Sequence, residues 1–389
     1  MGTFSGYLAP GFEEVGRAFE RNFTEVGEIG ASFAATWMGQ PVVDIWGGLA
    51  DRASGKSWTQ DSLTLVFSGT KGLVAVCLLM LIDRGKLELE APVERYWPAF
   101  GKPDVRVRDI VNHTARLPGC EVPLTIDDLT DDVRLAGLLA RQPQNADPRA
   151  SFCYHALTYG WLAGELVRKI DGRSVGRFFA EAVAGPLELE LWIGLPATHE
   201  ARVTTLELAP NWGVSPHLQA EVYARDRLMW QVWGNPEWMT ERAFPWNRPD
   251  FHAAEIPGVS GIISARSLAR LYGVLACGGA PLMREDTIRL GRSDLKSGYD
   301  KLYGVNRSFG VGFQRQTETM QYGPPADAFG HSGAGGSMHG AWPHLGVGYS
   351  YTMNLMRDGD DRDPRSTALL DALHAAVMKQ PPARKGKAT

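Results

Sequence analysis

The sequence predicts an α/β fold in which one antiparallel sheet, flanked by helices from both ends of the chain, carries an inserted, mostly helical domain. Three observations lead there. Pairs of strand-like segments joined by short turns lie near both ends of the chain. An amphipathic helical pattern lies outside each pair. Between them runs a long stretch of successive helical patterns, and 389 residues suffice for a large folded unit of this kind. The sheet domain is therefore read as discontinuous, 1–66 with 300–389. The helical domain is read as 67–299, with a Trp-rich pocket or lid segment at about 205–250.

Taken in order, Phe12 to Val26 places Phe12, Val15, Phe19, Phe23 and Val26 at helical spacing. Ala31–Trp37 and Pro41–Trp46 read as strands joined by the turn Met38-Gly39-Gln40-Pro41, with Gly47-Gly48 closing the hairpin. Leu63–Phe67 is strand-like. Leu73 to Ile82 is an unbroken apolar run, which as a helix is buried on all sides. It is too short to cross a bilayer, which needs roughly 20 residues. Asp83-Arg84-Gly85 ends it, with Gly85 as the terminating glycine.

Helical patterns follow over Val107–Asn112, Asp131–Arg141, Thr158–Ile170, Val175–Val183 and Ser264–Cys277. Trp212, Trp230, Trp233, Trp238 and Trp246 crowd into a Pro-rich, weakly periodic stretch, which suits the apolar wall of a pocket or a lid. Ser337–Trp342 and Gly346–Met353 form the second strand pair around Pro343-His344, and Thr367–Met378 is the closing helix.

Apolar residues make up 44% and charged residues 22%, with a net charge of −4 and no long basic run before the terminal Ala383-Arg384-Lys385-Gly386-Lys387. Nucleic acid and acidic membrane are not implied as partners. The short basic tail reads as disordered. Cys77, Cys120, Cys153 and Cys277 lack metal-ligand spacing and read as reduced thiols, so no metal is expected. Met1 to Pro10 has neither the charged nor the apolar region of a signal peptide, and Gly6 breaks a myristoylation pattern. The expected location is cytoplasmic.

Chemistry gathers at Phe67-Ser68-Gly69-Thr70-Lys71-Gly72. A helix beginning here puts Ser68 and Lys71 on one face. The positive end of the helix dipole favours a serine alkoxide, and partial burial makes the lysine easier to deprotonate. The pair reads as an activated nucleophile, against the plainer role of a helix-capping serine. Ser293-Asp294-Leu295-Lys296 repeats the spacing, but its neighbours Arg292, Ser297 and Asp300 read as solvated surface. A serine nucleophile also needs a base, an oxyanion hole and a proton donor for the leaving group. Tyr154 and Tyr159, and the glycine-rich lead-in Phe329 to Gly336, are the segments that can supply them.

In this order the segments become specific. VVDIWGGLADR (42–52), FSGTKG (67–72), VRDIVNHTARLPG (107–119), Tyr154 to Gly164 and GHSGAGGS (330–337) resemble serine hydrolases of the class C β-lactamase and penicillin-binding-protein type. The chain looks most like the bacterial family VIII carboxylesterases, from about Val42 to Met356. The resemblance implies a β-lactamase/transpeptidase-like fold and an acyl-enzyme on Ser68. Lys71 and Tyr154 would share proton transfer, and the backbone N–H groups of Ser68 and Ala334 would form the oxyanion hole. It also implies substrate contacts at His331, Ser332 and Gly333; from the Trp-rich stretch itself, Trp233 and Trp238 are expected to line the apolar wall.

Two departures bear on substrate. The asparagine of the family's Tyr-x-Asn is Ala156, and its Lys-Thr-Gly is His331-Ser332-Gly333. An amide donor and a fixed cation that hold β-lactams are gone, which favours short-chain carboxylic esters and requires no cofactor. The alternatives are a β-lactamase or peptidase of the same fold, or a penicillin-recognising binding protein without turnover. Gly330-His331-Ser332-Gly333-Ala334 misses the nucleophile elbow of α/β-hydrolases at its last position, and the βαβ repeats of that fold are absent from the pattern. His113 and His155 read as structural.

Overall fold

A computed structural model of the chain describes residues 4–359 and 362–380; the basic tail and the first three residues lie outside the described residues. Among the described residues the main sheet is ten-stranded. Its order is Phe4–Leu8, Gln40–Asp51, Gly30–Trp37, Val347–Met353, Met338–Trp342, Phe329–Ser332, Gln314–Arg315, Val305–Phe309 and Lys296–Asp300, with Lys56–Ser57 paired to Gln40–Asp51. Every pairing in it is antiparallel, so strands from the two ends of the chain lie side by side as the patterns predicted.

The first hairpin turns on Met38 and Gly39, with φ of 49° and 77°, the positive pair that matches strand twist. Gly47-Gly48 does not close it: the strand runs on to Asp51. Gly48 has φ 78°, and a Cβ there would stand 2.0 Å from the Ile29 carbonyl, so the glycine permits close approach of paired strands. The edge strand Phe4–Leu8 was not visible in the pattern because its residues are mostly exposed.

Helices Glu13–Thr24 and Pro364–Lys379 pack together over one face of the sheet. Helix Ala265–Ala276, placed by sequence in the inserted region, packs instead on Val347–Met353, Gly30–Trp37 and Met338–Trp342. Small residues explain this: a Cβ on Gly348 would lie 2.0 Å from the Gly273 nitrogen, and Ala34, Ala265 and Ala269 form a cluster of their own. Helix and sheet approach almost backbone to backbone.

The apolar run became helix Thr70–Asp83, buried from Thr70 to Leu81, with Gly85 at φ 67° just past its end. Helices Thr158–Asp171, Val175–Phe179 and Glu285–Gly291 surround it. The segment before it is a short strand, Thr64–Leu65, in a three-stranded sheet with Gly261–Ile263 and Leu191–Ile193. The front of this central helix also touches Phe329–Ser332 of the main sheet, which places Ser68 where the sheet meets the helices.

Candidate active site

Ser68 stands on a sharp turn between the short strand and the central helix. Phe67 before it has φ 44°, a left-handed conformation uncommon for a bulky residue. Its ring packs edge-on against Trp246 at 5.5 Å, and its carbonyl accepts from Thr70 Oγ1 at 2.5 Å. The turn is thus held from both sides. One helical turn on, Lys71 is fully buried with Nζ 3.1 Å from Ser68 Oγ. Nζ also donates to the carbonyls of Ala156 (2.7 Å) and Gly258 (2.9 Å). A Cβ on Gly160 would stand 2.0 Å from the Gly258 nitrogen, so that glycine lets the segment carrying the second acceptor come close. Burial first, and then the charge of Arg307, hold the Lys71 amine well below the usual lysine range.

Tyr154, not Tyr159, reaches the serine. Its hydroxyl donates to Ser68 Oγ at 2.8 Å, whereas the Tyr159 hydroxyl is buried without a hydrogen-bond partner among the described residues. Burial raises the Tyr154 phenol above its usual range, opposed by its bond to Ser68 and by Arg307. The Tyr154 N–H donates to Asp300 Oδ2 at 2.8 Å, and the Arg307 guanidinium lies 4.9 Å from the centre of the ring. Asp300, read from the sequence as part of a solvated surface, is in fact fully buried. The Ser293 motif itself does lie at the surface, where the Ser293 hydroxyl donates to the Leu290 carbonyl at 2.8 Å.

His113 and His155 are structural. His155 Nδ1 meets the Cys153 carbonyl at 2.6 Å and Nε2 accepts from the Leu117 N–H at 3.2 Å, while its backbone N–H donates to His113 Nδ1 at 3.1 Å. Burial drops the His155 pKa to about 4, so the ring is neutral.

The glycine-rich loop closes the site from the sheet side. A Cβ on Gly333 would stand 2.1 Å from the Val66 carbonyl, so only glycine lets this loop lie against the turn that carries Ser68. Among the described residues, neither the Ser68 nor the Ala334 backbone N–H donates to a protein backbone acceptor. A cavity of about 200 Å³ runs along Ser332–Met338 and is walled by Trp212, His217 and Trp233.

Alternation along the strand turns Ser332 toward this cavity and His331 away from it. His331 is fully buried, its ring 6.1 Å from that of Tyr154, and burial together with Lys71 keeps it neutral. It therefore backs the candidate catalytic groups and does not face the cavity. Trp238 likewise lies behind the wall, stacked on Trp233 at 4.9 Å and edge-on to Trp246 at 5.6 Å. Trp230 packs under the Arg227 guanidinium at 4.2 Å.

Asp300, Arg307 and the Gly258 carbonyl were missed by reading the sequence. No local pattern marks them, because each acts through a neighbour more than a hundred residues away or on another strand.

A profile of the Beta-lactamase family matches residues 17–374. The esterase/beta-lactamase LipL of Mycobacterium tuberculosis is 35% identical over 367 residues, covering 90% of this chain and 83% of its own. The structure of a family VIII carboxylesterase superposes with a TM-score of 0.86 at 33% identity, covering 96% of this chain and 99% of that one. A penicillin-binding protein homolog from Caulobacter crescentus gives 0.85 at 34% identity, with 96% and 99% covered.

Proposed function

Because the chain belongs to the Beta-lactamase family and is a serine hydrolase by its relatives, we propose that it is a carboxylesterase that cleaves short-chain carboxylic esters through an acyl-enzyme on Ser68. The observation that carries this reading is the double contact on one hydroxyl: Ser68 Oγ has Lys71 Nζ at 3.1 Å and Tyr154 OH at 2.8 Å.

Lys71 is the resting base in this scheme. A neutral amine has two hydrogens, and the Ala156 and Gly258 carbonyls take both. Its lone pair is then directed at the Ser68 hydroxyl. As Oγ attacks the ester carbonyl, its proton passes to Lys71, and the oxyanion forms between the N–H groups of Ser68 and Ala334. A donor of this kind is worth about 10²–10³ in kcat. Tyr154 protonates the departing alkoxide and recovers a proton from the Lys71 ammonium. Water then attacks the acyl ester, giving up its proton through the same pair, and releases the acid and free Ser68. Trp212 and Trp233 favour apolar groups of modest size on the substrate. Ala156 and His331 supply neither the amide nor the cation that would hold a β-lactam.

The test is a panel of p-nitrophenyl esters of increasing acyl length beside a chromogenic cephalosporin. Short-chain esters should be turned over clearly and the cephalosporin slowly or not at all, with Ser68→Ala inactive and Ser293→Ala unchanged. Faster turnover of the cephalosporin than of any ester would overturn the esterase reading. An inactive Ser293→Ala would overturn the site.

A further inference from the structure

A second compartment of about 340 Å³ adjoins the cavity along the glycine-rich loop. The two share His217, Gln321, Asp358 and Gly359 in their walls. The wall farther from the tryptophans belongs to strands Val305–Phe309 and Gln314–Arg315, and it presents donors left without acceptors. The Arg307 guanidinium lies against the rings of both Tyr154 (4.9 Å) and Tyr303 (4.8 Å), which pack edge-on to one another. Only its Nε approaches a carboxylate, Asp300 Oδ2 at 3.3 Å, and its two Nη groups have no acceptor among the described residues. Gln314 spends its amide oxygen on the hydroxyls of Tyr322 and Ser332, and its NH₂ has no acceptor among the described residues. Ser308 Oγ accepts from Arg315 Nη1 (2.6 Å), and because the single hydrogen of Ser297 goes to Asp294 (2.8 Å), the hydrogen of Ser308 goes to Ser297 Oγ (2.8 Å).

The acids nearby are already committed. Asp300 lies fully buried beneath the wall and takes the N–H groups of Tyr154 and Leu302. Asp358 accepts from the Ser215 N–H and hydroxyl and from the Gly359 N–H. Arg315 is tied to Asp294 at 3.4 Å and to the Arg292 carbonyl at 3.0 Å. The formal charges of the acids and arginines thus nearly offset one another, and what selects a ligand here is the unpaired donor set.

We propose that this compartment is a subsite for an anionic group, a carboxylate, carried by the ester substrate away from the bond that is cleaved. Arg307 is its principal donor, with the Gln314 amide supporting. A guanidinium edge matches the two oxygens of a carboxylate, and such charge-assisted bonds are stronger than neutral ones. A wholly apolar ester would leave these donors to water. The cation missing at His331 is thereby supplied from a different strand, at a different place. The inference rests on the esterase reading and narrows it to esters with a remote acid.

Two matched pairs test it. p-Nitrophenyl hexanoate is set against the mono-p-nitrophenyl ester of adipic acid, which carries the carboxylate on the acyl side. Phenyl butyrate is set against meta-carboxyphenyl butyrate, which carries it on the alcohol side. The wild type should prefer the carboxylate member of at least one pair in kcat/KM, mainly through KM. Arg307→Met should lower the ratio of carboxylate to neutral substrate by at least about tenfold, and Arg307→Glu further. If those variants do not fold, Gln314→Glu sets a like charge beside the same donors and should lower the ratio in the same direction. A wild type indifferent to the carboxylate in both pairs overturns the subsite. So does an Arg307 variant in which both members of each pair fall alike, since that effect would come from disturbing Tyr154. Failure to hydrolyse any of the four esters overturns the esterase reading and the subsite with it.

Discussion

Replacing Lys71 by methionine tests the resting base without relying on turnover. In the folded chain the amine is fully buried, and desolvation, reinforced by Arg307, holds its pKa well below 10.5. In the unfolded chain the same group titrates near 10.4, so it is protonated there at neutral and mildly alkaline pH. Where the folded amine is neutral and the unfolded one charged, the unfolded state binds one more proton, and wild-type stability rises with pH. That contribution is fully present above the unfolded pKa and is lost as pH falls to the folded one. The slope is about 1.4 kcal/mol per pH unit.

Lys71→Met has no such group. Its stability deficit against wild type should therefore widen by about 2 kcal/mol between about pH 8 and about pH 9.5. Two carbonyls, Ala156 and Gly258, also lose their donor, which adds a pH-independent cost of about 1–3 kcal/mol each. Urea unfolding followed by tryptophan fluorescence at several pH values reads both parts, and ester turnover should fall at least about 100-fold. A deficit that stays constant across that range would mean that Lys71 is charged in the folded protein, and the assignment of the resting base would fail.

Tyr154→Phe should cost at least about 100-fold in turnover, while Tyr159→Phe, which removes a hydroxyl without a hydrogen-bond partner among the described residues, should leave kcat near wild type; steady-state kinetics on a p-nitrophenyl ester separates them. Arg307→Met removes a positive charge that disfavours the Lys71 ammonium, so the acid limb of the kcat/KM profile should move to higher pH. Gly333→Ala would set a Cβ 2.1 Å from the Val66 carbonyl and push the glycine-rich loop off the Ser68 turn; kcat should drop by about 10-fold or more while KM changes less. Glu28→Ala would remove one of the two carboxylates on the buried Arg365, whose Nη1 lies 2.8 Å from Glu28 Oε2 and whose Nη2 keeps Asp363 Oδ2 at 2.7 Å. The loss should be about 1–3 kcal/mol, read as a fall in urea midpoint.

Several features were legible because they are local. The buried helix after Ser68 declares itself by an apolar run with no polar face, and the hairpins by period-two segments around tight turns. Ser68, Lys71 and Tyr154 sit in short segments whose order along the chain carried the resemblance, and the fold brings them within hydrogen-bond distance. Where the reading went astray, a local cue had a non-local cause. Gly47-Gly48 signals a turn by composition, yet it serves close strand approach inside a longer strand. Helix Ala265–Ala276 has an ordinary amphipathic pattern, and which surface that pattern meets is decided by Gly273 facing Gly348, residues far apart in the chain.

By itself, then, the sequence determined the element types, the candidate nucleophile with its candidate bases, and the glycines that let backbone approach backbone. Only the tertiary structure decided which way each side chain faces. Strand alternation turned His331 inward and Ser332 toward the cavity, and stacking put Trp238 behind Trp233. It also brought Asp300 and Arg307 from a distant hairpin to the back of Tyr154. The physical reason is that periodicity and turn chemistry are set by neighbours in sequence. The desolvation that lowers the Lys71 pKa and the free donors of the second compartment arise from contacts between segments that no window of sequence contains.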